Sequence, residues 1–285
     1  MKPDTIDTAT AVPVIPARLG QPLLGALALA AGLLFLSPVL YSIWMSFQTT
    51  DAYYGGTVDF TFRNYQVAFG QYNFARYLLN SVIVSGAVTL IGLAVATMAA
   101  FAFARYDFPG GNLMFAAVVA TLMIPSHITL IPNYLTLARA GLLDTYSGLI
   151  LPAISNGFAA FFLRQYIRGI PRALDEAAYM DGANALQVLW RVIVPISKPA
   201  ILSMALYIFI GEWNNYIWPL VAIGREDMYT LQVGLARLYR INPGEDVIDW
   251  PLVMAASTIT ILPVLLGFFL VERHLVRGIM MGAVK

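Results

Sequence analysis

Residues 77–104 read YLLNSVIVSGAVTLIGLAVATMAAFAFA, with no charge between Arg76 and Arg105. A bilayer crossing needs about 20 predominantly apolar residues, and this run is longer than that. It must be helical. Hydrocarbon offers the backbone no hydrogen-bond partner, and the run is too long for a barrel strand. The composition around it agrees. Of 285 residues, 59% are hydrophobic and 12% are charged, against about 25% charged in soluble domains. Such a chain cannot cover a water-facing surface, and the same numbers exclude intrinsic disorder. The expected fold class is an all-α integral membrane protein.

Five more apolar runs flank this one, which gives six expected transmembrane helices at about 22–47, 77–104, 112–138, 146–163, 199–223 and 250–271. Ala28-Leu29-Ala30 resembles a signal cleavage site, but the apolar run continues to Phe47. That is too long for a signal h-region, so the segment is expected to be a retained span. Residues 1–18, with Pro3, Pro13 and Pro16, are expected to form a flexible tail ahead of a six-helix domain over 19–285.

Basic residues set the orientation. With the N-terminus inside, eleven fall on the cytoplasmic side: Lys2, Arg18, Arg105, Arg164, Arg168, Arg172, Arg191, Lys198, Arg273, Arg277 and Lys285. Six fall outside: Arg63, Arg76, Arg139, Arg225, Arg237 and Arg240. Both termini are expected in the cytoplasm.

Several function classes drop out. A net charge of +1 gives no field for nucleic acid. The absence of Cys removes thiolate metal sites and Cys nucleophiles. No Gly-x-x-x-x-Gly-Lys-Ser/Thr loop occurs, so the chain does not bind ATP by that route. No metal or cofactor is expected on this chain. A transporter built from it needs an ion gradient or a separate ATPase. Ion-coupled transporters show inverted repeats and several intramembrane acids, whereas here one acid falls mid-span and no duplication is evident. An intramembrane enzyme would need a catalytic pair within the spans, and none is evident.

Segment 164–198 is too long for a turn and too helical for a loop. Pro171 suits a first helical turn. Residues 172–181, RALDEAAYMD, are rich in helix formers, and Gly182 can take a positive φ. A second helix is expected over 185–194, with Leu186, Leu189, Val192 and Ile193 on one face and Pro195 ending it. The pair could rest on lipid headgroups as an interfacial element. Alternatively it docks a partner, with Ala177 and Ala178 admitting another backbone and Arg172, Glu176 and Asp181 flanking the contact.

The spacing carries more than composition does. Glu176-Ala177-Ala178, three residues, Gly182, nine residues, then Val192-Ile193-Val194-Pro195 resembles the EAA motif of membrane subunits of binding-protein-dependent ABC importers. The family prefers Ile and Leu where this chain has Val192 and Val194. Residues 213–220, WNNYIWPL, look like the family's fifth-span signature, with Asn215 where an acid is common. Residues 229–235, YTLQVGL, and the closing 278–285, GIMMGAVK, resemble the carbohydrate branch, the maltose-permease G-subunit type. The resemblance implies a type I ABC importer transmembrane domain in a bacterial or archaeal cytoplasmic (inner) membrane. A second homologous permease subunit, two cytoplasmic ATPase subunits carrying ATP and Mg, and an extracytoplasmic solute-binding protein delivering a sugar are implied with it. The segment Asp175–Gly182 would then be the coupling helix, with Arg172, Asp175, Glu176, Ala177, Ala178, Asp181 and Gly182 as its ATPase-coupling residues.

Polar residues inside the spans supply the pathway candidates. A charge at the bilayer centre costs about 2.5–3.5 kcal/mol or more, so Glu212 must face a cavity or a partner. Trp213, Asn214, Asn215 and Tyr216 beside it offer aromatic faces and amides, which suit a sugar's C–H faces and hydroxyl edges. The same cluster could serve as glue between helices. Asn133 and Tyr134 are gate or rim candidates near His127 and the irregularity at Pro125 and Pro132. Outer loop 224–249, with a turn at Asn242-Pro243-Gly244, is a docking-surface candidate for the binding protein.

Overall fold

The computed structural model describes residues 17–125, 127–239 and 248–283. Most of the expected tail, the Asn242–Gly244 turn and the last two residues lie outside this set.

The described residues form α1 (Ala17–Ser46), α2 (Thr50–Gly55), α3 (Arg63–Gly70), α4 (Phe74–Arg105), α5 (Gly111–Thr121), α6 (Leu130–Arg139), α7 (Tyr146–Ile150) and α8 (Gly157–Arg168). After these come α9 (Ala173–Met180), α10 (Ala185–Val188), α11 (Val194–Ile196), α12 (Lys198–Trp213), α13 (Ile217–Ala222), α14 (Leu231–Leu238) and α15 (Trp250–Ala283). Three helices are long and apolar enough to cross a membrane unbroken: Leu24–Ser46, Phe74–Arg105 and Trp250–Leu270. Two further bent pairs raise that number to at most five.

The expected continuous spans three, four and five are each interrupted, and a proline lies within or beside each break. A proline ring clashes with the carbonyl four residues earlier and supplies no N–H. Pro125 lies four residues beyond Thr121, where α5 ends, and the chain is not helical again until Leu130. Pro152 sits in a 3-10 turn, Leu151–Ala153, after α7, and α8 restarts at Gly157 at a bend of 46°. Pro219 lies four residues beyond Asn215, and the chain leaves helical geometry between Trp213 and Ile217.

α4 is the central element, and α8 and α12 pack along it. Its buried stripe is made of small residues, among them Ser81, Ser85, Gly92, Ala96, Ala100 and Ala104. Small side chains let helix backbones approach where no hydrophobic effect drives association. The stripe's hydroxyls are satisfied within the helix: Ser85 donates to Ser81 O and Thr89 to Ser85 O, each at 2.6 Å. At the other extreme, α1 packs along α15 but presents bare apolar side chains outward, including Phe35 at 82% exposed.

The long connection is helical as expected, with two corrections. Pro195 does not end the second helix. α10 passes through a π turn, Leu189–Ile193, into α11, and the end comes at Ser197, whose N–H bonds Ile193 O at 2.8 Å. The bend into α12 is 84°. The extra residue in the π turn also rotates the buried face. Val188, Leu189 and Ile193 are buried, while Leu186 is exposed. Gly182 does take positive φ, +82°, and Asn184 and Gln187 close a reciprocal capping box on α10.

The described part of segment 224–249 is more ordered than its charge pattern suggests. α14 buries Leu231, Val233 and Leu238. Ser81 Oγ accepts Leu231 N–H at 2.8 Å, and buried Asn80 donates to the carbonyls of Asp227 (2.9 Å) and Tyr229 (2.8 Å) while accepting from Tyr146 Oη at 2.7 Å.

Close packing near α7 yields a stability test. A Cβ on Gly148 would lie 2.1 Å from Leu142 O, a backbone atom that cannot swing away. Gly148→Ala is expected to destabilise the fold by about 1–3 kcal/mol, read as a lowered unfolding temperature in detergent. Gly86→Ala, which faces open space in the middle of α4, should leave that temperature unchanged or raise it.

Candidate functional site

The three proline breaks converge. A cavity of about 440 Å³ is lined by His127, Thr129, Leu130 and Asn133 from the broken third segment, Pro152 and Ala153 from the fourth, and residues around the fifth break. The last group includes Gly211, Glu212, Asn214, Asn215, Tyr216, Ile217 and Trp218. Backbone groups released from helices at membrane depth are tolerated only where protein buries them or where they line a polar cavity. The breaks and the cavity are therefore one feature.

Five of the six pathway candidates meet here: Glu212, Asn214, Asn215, Tyr216 and Asn133. Asn215 donates to Glu212 Oε2 at 3.3 Å, and Asn214 Oδ1 accepts from Gln232 at 3.4 Å. Trp213 turns away. It is 1% exposed, stacks on Phe209 and donates its indole N–H to Thr260 O at 3.0 Å, which ties α12 to α15. Trp218, part of the same polar-aromatic stretch in the sequence, closes the wall and donates to Gly148 O at 3.2 Å. Pro152 was the available signal that the fourth segment would contribute. Among the described residues no Arg or Lys lines this cavity.

The second constellation is the foot at the opposite end of α4. α9 presents Arg172, Glu176, Ala177, Asp181 and Gly182 outward with Ala178 half-buried, and Met180 stands 88% exposed at its tip. Asp175 does the reverse. Its carboxylate is buried and forms a close ion pair with Arg105 Nε at the end of α4, 2.5 Å apart. Burial pushes this carboxyl above the ordinary carboxylate range, and the charges of Arg105 and Arg172 oppose that shift. Arg105 also donates from Nη2 to Ile170 O at 3.1 Å, and Tyr106 Oη shares a hydrogen bond with Tyr179 Oη at 3.0 Å. That shared bond, with burial second, pushes the Tyr179 phenol up to about 12. The foot is thus clamped to α4, which lies far away in sequence. Arg105 and Tyr106 had looked like an ordinary span boundary.

Residues 89–281 match the family described as "Binding-protein-dependent transport system inner membrane component". The chain belongs to this family. The permease is 36% identical over 206 residues to the arabinooligosaccharides transport system permease protein AraQ of Halalkalibacterium halodurans, covering 72% of each chain. It is 34% identical over 206 residues to the sn-glycerol-3-phosphate transport system permease protein UgpE of Pectobacterium atrosepticum, covering 72% of this chain and 73% of the relative. A crystal structure of a bacterial ABC transporter involved in import of the acidic polysaccharide alginate superposes with a TM-score of 0.80 at 25% identity, covering 92% of this chain and 99% of that one. The permease therefore has the type I ABC importer permease fold and is an inner-membrane component of a transport system.

The clamp makes a prediction. Removing one partner of a buried ion pair leaves an uncompensated charge and costs about 3–5 kcal/mol. Arg105→Ala should loosen α9 locally, with faster amide exchange and protease cutting over 170–182. The double change Arg105→Ala with Asp175→Ala should recover much of the protection.

Proposed function

We infer that this permease forms half of the translocation pathway of an ATP-driven, binding-protein-dependent importer of neutral sugars. Support comes from the cavity formed where three segments break, with amides, aromatic rings and one carboxylate converging on it. Amides and aromatic faces suit hydroxyls and C–H faces. Relatives are named for arabino-oligosaccharides and for glycerol phosphate. The absence of Arg and Lys among the described lining residues favours the neutral class, because an anion would meet Glu212 without a compensating cation there.

In this reading residues 19–285 cross the membrane six times, with the α5–α6 pair as the third crossing, and both termini lie in the cytoplasm. The foot over 164–198 is the ATPase-coupling element: Arg172, Glu176, Ala177, Ala178, Asp181 and Gly182 face the ATPase, while Asp175 anchors the helix to α4. ATP and Mg act on two separate ATPase subunits, so this chain is not itself the enzyme. A second homologous permease completes the pathway, and an extracytoplasmic binding protein delivers the sugar. One solved relative, alike in fold at 18% identity and a TM-score of 0.63, is described in complex with such a periplasmic protein. Closure of the ATPase dimer would displace α9 as a rigid body. The clamp would pass that displacement to α4, and the backbone of α8 and α12 to the cavity.

Two measurements test this in proteoliposomes holding the complete importer. Glu212→Gln and Asn133→Ala should each lower sugar uptake about tenfold, the scale of one lost hydrogen bond to a charged or fixed polar group, with ATPase assembly intact. Unchanged uptake in both would remove the cavity from the pathway. Gly182→Leu forces a side chain onto φ +82° and should abolish ATP-driven uptake while sugar binding to the binding protein persists.

A further inference from the structure

A second cavity, of about 460 Å³, lies where α4 ends, α5 begins and α8 ends. It is lined by Phe103, Ala104, Tyr106, Asp107, Phe108, Gly111, Asn112, Arg164, Arg168 and Arg172. Three arginines and one aspartate thus contribute to its lining. Arg164 is 9% exposed, donates Nε–H to Phe103 O at 3.0 Å, and lies over the Phe115 ring at 3.8 Å. Among the described residues the Arg168 side chain has neither a hydrogen bond nor an ion pair. Arg164 and Arg168 are one helical turn apart, where like charges repel, and an anion between them would relieve that repulsion. The eleven-residue helix α5 starts at the same cavity, and its cap, Gly110, brings no side-chain acceptor. The positive end of its dipole adds to the same field.

We propose that this cavity binds a phosphate group, held by the forks of Arg164 and Arg168 at the start of α5. Planar guanidinium forks match phosphate oxygens in pairs. The surroundings point to a membrane lipid as its bearer. Leu113 and Met114, which follow the lining residues Gly111 and Asn112 in α5, are 76% and 56% exposed. Acyl chains would lie along them while the headgroup enters among the arginines. This proposal rests on the permease's place in the membrane and is independent of which solute it carries.

The test uses the purified complete importer in detergent. Native mass spectrometry is run after exchange into phosphatidylglycerol or a phosphate-free neutral glycolipid, and in parallel unfolding temperature is followed against inorganic phosphate. Retention of phosphatidylglycerol but not of the glycolipid assigns the site to lipid. A phosphate-dependent rise in unfolding temperature without lipid retention assigns it to free phosphate. In either case Arg168→Ala, on the exposed side of the cavity, should weaken the response about tenfold. Arg164→Lys, which keeps the charge but loses the fork, should weaken it less. Arg139→Ala, at the end of α6 and away from the cavity, should leave it unchanged. Equal retention of both lipids with no phosphate response overturns the proposal, as does a response in Arg168→Ala equal to that of the unchanged chain.

Discussion

In hydrocarbon every backbone N–H and C=O must find a partner within the protein. That requirement shapes this permease more than any single contact. It makes the apolar runs helical, and it restricts each interruption to a place where polar groups can be met. Pro125, Pro152 and Pro219 interrupt three consecutive segments, and the interruptions face one another around a single cavity. A helix break that faced lipid would strand carbonyls. A break that faces two other breaks builds a lined, polar interior.

The same economy appears in α4. Its stripe of Ser, Gly and Ala residues allows α8 and α12 to approach closely, and its hydroxyls bond back to their own helix. One end of α4 holds residues 227–231 through Asn80 and Ser81. The other end holds the foot through Arg105 and Tyr106. A rigid helix fixed at both ends can carry displacement across the membrane, which a hinge at Gly182 alone could not do.

Both cavities sit at helix ends and differ in charge. Among the described residues, the one at the breaks contains Glu212 and no Arg or Lys; the one at the α4–α5 turn contains three arginines and Asp107. This segregation fits a neutral solute in the first and a phosphate in the second.

Much of this was legible in the chain itself. The long uncharged runs at 22–47, 77–104 and 250–271 fix helices because their length and composition leave the backbone no alternative. The spacing from Glu176 through Gly182 to Pro195 marks the foot, because a helix, a positive-φ glycine and a second helix must follow in that order. The candidates Glu212, Asn214, Asn215, Tyr216 and Asn133 could be named, because polar groups at membrane depth stand out against an apolar background. Composition could not say which way each side chain turns. Trp213 lies among those residues yet packs against α15, because successive helix positions point about 100° apart. Nor could it reveal that Asp175 turns inward to Arg105, or that Arg164 and Arg168 share a cavity with the first turn of α5. Those pairings join residues some 50 to 70 positions apart, and only the packing of α4 against α5, α8 and α9 brings them within reach.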